Sequence, residues 1–227
     1  MRAPISVIIP TLDAAPQLAE TLTRVMEGVD AGVVRELIVS DGGSSDDIAR
    51  LADAIGAELI VGAAGRGGQL ARGAEAAQGA WLLFLHADTW LPEGWSDVAL
   101  AHLADPDRAL VFSLSFRGGG AMARLTGGWA RLRTRLFGLP YGDQALLVSR
   151  ALYDQTGGYA DIPLMEDVDL ARRLGRARIV LSSCAVQTDP SRYQERGWLI
   201  QGGRNLWRLL RYLAGADPVR LSRSYRR

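Results

Sequence analysis

Hydrophobic and polar positions fall into short blocks along this chain, and the blocks carry two alternating periods. Ile5-Ser6-Val7-Ile8-Ile9 is β-branched and stops at Pro10-Thr11, which predicts a buried strand ended by proline. Leu18, Leu22, Val25 and Met26 then recur at helical spacing, predicting a helix over residues 15–27. Glu36–Ser40 reads as a second strand running into Asp41-Gly42-Gly43-Ser44-Ser45-Asp46, a glycine-rich loop whose capping residues open a helix over 46–55. Glu58–Val61 is a third, shorter strand. Gly65-Arg66-Gly67-Gly68 reads as a loop, and residues 69–77 as an alanine-rich helix. Trp81–Leu85 places five large apolar residues in a row before the polar cluster His86-Ala87-Asp88-Thr89. That run suits a strand buried on both faces and is too short to span a bilayer.

Four strand–helix alternations within the first 90 residues predict an α/β fold, with a mostly parallel, right-handed central sheet and helices on both faces. The second half has a different rhythm. Helices are expected over 94–104, 121–136, 164–174 and 199–214, and strands over 109–116, 144–148, 178–181 and 185–187. No linker, repeat or low-complexity break divides the 227 residues. The expected organisation is one domain over 1–227: a nucleotide-binding half over 1–90, an acceptor and catalytic half over 91–198, and an amphipathic C-terminal helix and tail over 199–227.

In an open α/β sheet, ligands bind at the carboxyl ends of the strands. Asp13, Asp41 and Asp88 follow the first, second and fourth strands, so a parallel arrangement brings them to one edge. Carboxylates there accept from ribose hydroxyls and base N–H groups, and Asp88 suits a divalent cation bridging a diphosphate. Asp46 is read as a helix cap. Arg66 in its glycine loop offers a guanidinium to phosphate or base, with glycines that let the backbone approach a ligand closely. Gly142-Asp143-Gln144 and Glu166-Asp167-Val168-Asp169 are polar clusters in apolar surroundings. First-turn acids complement a helix dipole, yet three within four residues exceed what a cap requires. An acid beside a bound sugar can take the proton of an acceptor hydroxyl, and Asp167 is the candidate. His86 has three readings: metal ligand, phosphate donor or packed polar residue. His102 lies on a polar helix face and is expected in solvent.

Composition adds little. The net charge of +1 carries no nucleic-acid signal, and all 26 basic residues are arginine. The lone Cys184 has no intrachain partner and reads as a packed thiol in a reducing, cytoplasmic setting. No signal peptide or transmembrane stretch is expected. Two helices are both apolar and arginine-rich, one with Leu125, Trp129, Leu132 and Arg131, the other with Leu199, Trp207, Leu210 and Arg204. Such faces either pack with snorkelling arginines or lie on an anionic membrane surface.

Four motifs in order resemble family 2 glycosyltransferases: Ile8-Ile9-Pro10-Thr11-Leu12-Asp13, Asp41-Gly42-Gly43-Ser44-Ser45-Asp46, Phe84-Leu85-His86-Ala87-Asp88-Thr89 and Met165-Glu166-Asp167-Val168-Asp169. Gly65-Arg66-Gly67, Tyr141-Gly142-Asp143-Gln144 and Pro163–Asp167 further resemble a compact bacterial subgroup, often labelled arsenosugar-biosynthesis-type. The resemblance covers Ile5 to about Leu213. It implies a glycosyltransferase-A fold and inverting transfer from a nucleotide-diphosphate sugar, assisted by Mg²⁺ or Mn²⁺, to a small-molecule or lipid-linked acceptor. It also implies nucleotide-sugar contacts at Thr11, Asp13, Asp41, Arg66, Asp88, Asp143 and Gln144, a metal at Asp88, and a base at Asp167 with Glu166 beside it. His86 departs from the family, standing where the first aspartate of its metal motif is usual. Two other readings compete. A sugar-phosphate nucleotidyltransferase would carry a glycine- and arginine-rich signature with lysine after the first strand, where Thr11-Leu12-Asp13 stands. A non-catalytic nucleotide-sugar-binding protein would have no need of both Asp88 and the Glu166-Asp167 pair.

Overall fold

The computed structural model describes residues 3–225, with side chains described through residue 222. Its first four strands, β1 (Ile5–Thr11), β2 (Val34–Asp41), β3 (Glu58–Val61) and β4 (Trp81–Phe84), alternate with the helices α1 (Ala15–Asp30), α2 (Ile48–Ala54) and α3 (Arg66–Ala76). A two-residue strand β5 (Thr89–Trp90) and helix α4 (Trp95–His102) lead into β6 (Ala109–Phe116) and α5 (Gly120–Phe137). A 3₁₀ turn at Gly142–Gln144 precedes β7 (Leu146–Ser149), α6 (Arg150–Gln155) and α7 (Glu166–Leu174). The chain ends through β8 (Ile179–Thr188), α8 (Ser191–Arg196), α9 (Trp198–Leu213) and α10 (Pro218–Tyr225).

One eight-stranded sheet has the order β3-β2-β1-β4-β7-β6-β8-β5. The block β3-β2-β1-β4 is parallel throughout, as the alternation of the first half predicts. The second half adds antiparallel pairings at β4–β7, β7–β6 and β8–β5, with β6 and β8 parallel. The apolar run in β4 shows why this sheet needs cover on both faces. Trp81, Leu83 and Leu85 enter one core with Ile5, Val7, Ile9 and Phe112, whereas Leu82 and Phe84 enter the other with Ile8, Ile38 and Tyr159. Successive side chains of a strand point to opposite faces, so a strand buried on both must be apolar at every position.

Several local expectations change on folding. The glycines of Gly65–Gly68 do not form a loop for a ligand; Arg66, Gly67 and Gly68 are the first turn of α3. A Cβ on Gly67 would sit 2.2 Å from Ala160 O, and one on Gly68 would sit 2.5 Å from Asp161 Oδ1. The close approach that requires glycine is therefore to the chain's own 160–162 segment. Asp46 does not cap the helix that follows it, since that helix begins later and its N-cap is Asp47. Its Oδ2 instead accepts from Ala15 N–H at 2.8 Å, at the start of α1. His102 is buried rather than solvated: Nε2 lies 3.0 Å from Arg108 O, and the ring meets Trp81 edge-on at 5.7 Å. The two short strands expected over 178–187 join as β8, because β6 pairs across a bulge: Val111 opposes Leu181, and Ser113 opposes Ala185. Helix α6 is capped by Ser149, whose Oγ accepts from Leu152 N–H at 3.1 Å. Its Arg150 donates to Ala74 O, Ala77 O and Gly79 O at the end of α3.

Candidate active site

The carboxyl ends of β1 and β2 form a closed hydrogen-bonded cradle. Asp41 ends β2, and its Oδ1 accepts from Thr11 Oγ1 at 2.9 Å and from Ser44 Oγ at 2.5 Å. Its Oδ2 accepts from Gly43 N–H at 2.8 Å and Ser44 N–H at 2.7 Å. Burial raises the carboxyl pKa of Asp41, but the donors from Ser44, Thr11 and Gly43 outweigh it, and the net shift is downward. Asp13 closes the loop from the other side. Its N–H donates to Ser44 Oγ at 2.8 Å, and its Oδ1 accepts from Ser45 N–H at 2.8 Å. Gln69, on the first turns of α3, ties both strand ends together. Its Nε2 donates to Thr11 O at 2.6 Å and to Ser40 O at 2.9 Å, and its Oε1 accepts from Gly65 N–H at 3.2 Å.

The exit of β4 supplies His86 and Asp88 to a second cluster. Arg117 holds the backbone of this exit: it donates to Asp88 O at 3.3 Å while its guanidinium lies 4.3 Å from the centre of the Trp90 ring. His86 meets the 3₁₀ turn so closely that a Cβ on Gly142 would lie 2.4 Å from Nε2. Burial, reinforced by the charges of Arg66 and Arg192, holds the His86 imidazole neutral, well below its ordinary pKa.

The 3₁₀ turn and α7 bring in the remaining acids. Asp167 Oδ2 accepts from Gly142 N–H at 2.7 Å, and Oδ1 accepts from Val168 N–H at 2.7 Å. Asp167 and Glu166 line one crevice with His86, Gly142, Phe84 and Tyr159. Glu166 is buried, with its Oε1 3.5 Å from Arg66 Nη1. Burial pushes the Glu166 pKa up to about 7; Arg66 opposes the shift and Asp167 adds to it. Asp143 has a buried Oδ1 with no hydrogen-bond partner. Burial raises its pKa to about 6 against the opposing charge of Arg133, with the neighbouring Asp167 and Asp88 charges adding to the rise.

Gln144 is fully buried beneath this turn rather than presented to the crevice. Its Oε1 accepts from Arg133 Nη2 at 3.1 Å and Thr134 Oγ1 at 3.0 Å, and its Nε2 donates to Phe112 O at 3.0 Å. Arg133 is equally committed, with Nε donating to Leu139 O at 2.7 Å and the guanidinium 3.4 Å from the centre of the Tyr141 ring. From sequence alone Arg133 belongs to a basic helix face, and nothing singles out Gln69, Arg117 or Tyr159. Their tasks are bonds and contacts to distant segments, which no local spacing reveals.

Among the described residues, three non-glycine residues have positive φ: Asp13 at 49°, Ala145 at 51° and Met165 at 66°. Each is a candidate residue or directly adjoins one. Such conformations persist only where surrounding structure over-determines them, and they concentrate at ligand sites. One edge of the sheet therefore gathers Thr11, Asp13 and Asp41 at one end, and His86, Asp88, Asp143, Glu166 and Asp167 at the other. Helix α3 bridges the two ends through Gln69 and Arg66.

Comparison with known proteins bears on the family and the fold. The family model described as Glycosyl transferase family 2 matches residues 6–148. No curated protein matches in sequence. Among solved structures, TarS 1–349 from S. aureus superposes with a TM-score of 0.62 at 16% identity, over 85% of this chain and 62% of its own. This chain thus spans about three-fifths of the TarS 1–349 chain. The mannosyltransferase PcManGT from Pyrobaculum calidifontis, in complex with GDP-Man and Mn²⁺, gives 0.67 at 20% identity, over 96% of this chain and 66% of its own. Glucosyl-3-phosphoglycerate synthase from Mycobacterium tuberculosis, in complex with phosphoglyceric acid, gives 0.56 at 25% identity, over 82% and 70%.

Proposed function

Because the chain belongs to glycosyl transferase family 2, we propose that it moves a sugar from a nucleotide-diphosphate sugar to an acceptor hydroxyl, with inversion at the anomeric carbon. The observation that carries this reading is the position of Asp167, held by Gly142 N–H on the wall of a crevice beside the exit of β4. Asp167 takes the acceptor proton as the hydroxyl oxygen attacks the anomeric carbon. The bond from that carbon to the diphosphate breaks in the same displacement, and the nucleoside diphosphate departs. Glu166 and Arg66, paired across α7 and α3, position Asp167 and place a guanidinium near the donor. Thr11, Asp13 and Asp41 form the nucleotide end of the site. Two structural neighbours hold nucleotide sugars, TarS with UDP-GlcNAc and PcManGT with GDP-Man, and both support a donor of that class.

A divalent cation fits the donor set when phosphate and water complete its ligands. Among the described residues, no group of three His, Cys, Asp or Glu side chains is arranged to hold an ion. Asp88, neutral His86 and the unpartnered buried Oδ1 of Asp143 nevertheless suit a cation that takes most of its ligands from phosphate and water. Asp88 would hold Mg²⁺ or Mn²⁺, with His86 as a nitrogen donor better suited to Mn²⁺. Bound there, the ion supplies positive charge to the leaving diphosphate. The acceptor class, small or lipid-linked, is read from the product.

Asp167→Asn is the test. Transfer and donor hydrolysis are expected to fall about 10²- to 10⁴-fold while nucleotide still raises the unfolding temperature. Undiminished turnover by the folded variant removes Asp167 from the role of base. Release of pyrophosphate instead of a nucleoside diphosphate would replace transfer with nucleotidyl transfer. A thermal-shift series of nucleoside diphosphates and their sugars, with and without Mn²⁺, identifies the donor and the metal requirement together.

A further inference from the structure

Helix α9 is mounted with its polar side inward. Its buried residues are Gln201, Arg208 and Leu209. Gln201 Nε2 donates to Asn205 Oδ1 at 3.0 Å, Asn205 Nδ2 donates to Tyr193 Oη at 3.1 Å, and Arg208 Nη1 donates to Asn205 Oδ1 at 3.2 Å. Leu199 is left 74% exposed, Trp207 63% and Leu210 50%. A helix on an ordinary water-facing surface turns the opposite side outward.

Helix α5, in contact with α9, likewise turns its large apolar side chains outward. Ala123, Gly127, Ala130 and Thr134 face inward, and a Cβ on Gly127 would lie 2.6 Å from Leu114 O of β6. Leu125, Trp129, Leu132 and Leu136 follow one another at spacings of four, three and four, so they form a single outward ridge, with Leu125 63% exposed. Arg124, Arg131 and Arg135 flank that ridge, and Arg204 and Arg211 flank the outward side of α9. All five are exposed, and among the described residues none of them is in an ion pair. The two helices together hold seven arginines and no acidic residue, in a chain whose net charge is only +1.

We propose that the outward faces of α5 and α9 form one docking surface for an anionic lipid bilayer, the leucine and tryptophan side chains entering the headgroup–acyl boundary and the arginines meeting lipid phosphates. The charge pattern selects this occupant. A second copy packed on the same face would set arginine flanks against arginine flanks, with no carboxylate on these helices to pair them. An anionic bilayer supplies both the apolar depth and the negative charge. Exposed tryptophans on both helices suit that boundary, where one end of the ring is apolar and the other wet. No described helix is long and apolar enough to cross a membrane, so the contact is with its surface.

The test is flotation of the whole protein with vesicles of phosphatidylcholine alone or with about 30% phosphatidylglycerol, a fraction chosen to give a clearly anionic surface. The protein is expected to float with the anionic vesicles and stay behind with the neutral ones. Two double variants, Trp207→Ser with Leu210→Ser and Arg204→Gln with Arg211→Gln, are each expected to weaken partitioning at least about tenfold. Circular dichroism and donor thermal shift confirm that both remain folded, and donor binding is read apart from vesicle binding. Native protein that ignores anionic vesicles overturns the proposal. So does a concentration-dependent dimer, seen by light scattering without vesicle binding and abolished by Trp207→Ser, which would assign the face to a second copy.

Discussion

Asp41 and Asp143 both stand at the sheet edge that carries the candidate site, one in each half of the chain, and their surroundings push them in opposite directions. Asp41 accepts from Thr11, Gly43 and twice from Ser44, and its carboxyl is held below its ordinary range. Asp143 has a buried oxygen with no partner, carboxylate neighbours at Asp88 and Asp167, and a pKa pushed up to about 6. Glu166 shares its condition, with a pKa pushed up to about 7. The Asp41 end is thus finished within the protein, whereas the Asp143 end carries carboxyls that the protein alone does not satisfy. A cradle that is satisfied before binding is preorganised and loses little on ordering. A cluster of under-satisfied carboxylates instead favours whatever brings positive charge or donors to it.

The sharpest way to break this comparison is through activity. Asp88→Asn should lower transfer about 10²-fold or more while leaving the Asp41 cradle intact, so a nucleoside monophosphate, which lacks the diphosphate, still protects against heat. Equal loss of both responses would show that the two ends do not act separately. The second largest effect is on stability. Asp41→Ala removes a buried acceptor of four hydrogen bonds and strands their donors, and urea unfolding should report a loss of about 3 kcal/mol. Gly142→Ala follows, with an expected cost of about 1–3 kcal/mol, because the added methyl must displace the His86 ring. A loss in Asp41→Ala no greater than in Gly142→Ala would mean that the cradle bonds contribute less than their geometry suggests.

The smallest effect is the dependence of stability on pH, and here the two ends differ in sign. The carboxyl of Asp41 is lowered on folding, so its contribution is present above the unfolded value of 3.8 and fades as pH falls through the folded value. Asp143 and Glu166 are raised from 3.8 and 4.5 to about 6 and about 7. Their contribution is complete below the unfolded values and disappears as pH rises through the folded ones. The ligand-free protein should therefore lose stability between about pH 4 and pH 7. Glu166→Gln should raise the unfolding midpoint by about 2–4 °C at the upper end of that range and leave it nearly unchanged at the lower end. A midpoint that rises with pH across this interval would contradict the assignment of the two clusters.

Much of this molecule could be read before folding. The strands β1, β2 and β4, the parallel front half and the acid-opened helix α7 follow from period and composition alone, since an apolar run of five or an alternation of four units has few structural solutions. The acids at the strand ends were legible for the same reason: direction along the chain implies which end of the sheet they occupy. Pairings across long separations were not. That His86 touches Gly142, that Arg133 turns inward to hold Gln144, and that Gly67 makes room for the 160–162 segment depend on which segments become neighbours. Burial of His102 and the internal saturation of Asp41 belong to the same class.

The sequence by itself determined that this is an α/β protein with carboxylates gathered at one sheet edge, because local period and strand direction are written in neighbouring residues. Only the tertiary structure decided which carboxyls are satisfied and which are buried without partners, and which side of α9 faces water. Those properties depend on donors and surfaces brought from other parts of the chain. Asp41 and Asp143 are chemically the same side chain, and the fold supplies four hydrogen bonds to one while leaving a buried oxygen of the other unpartnered.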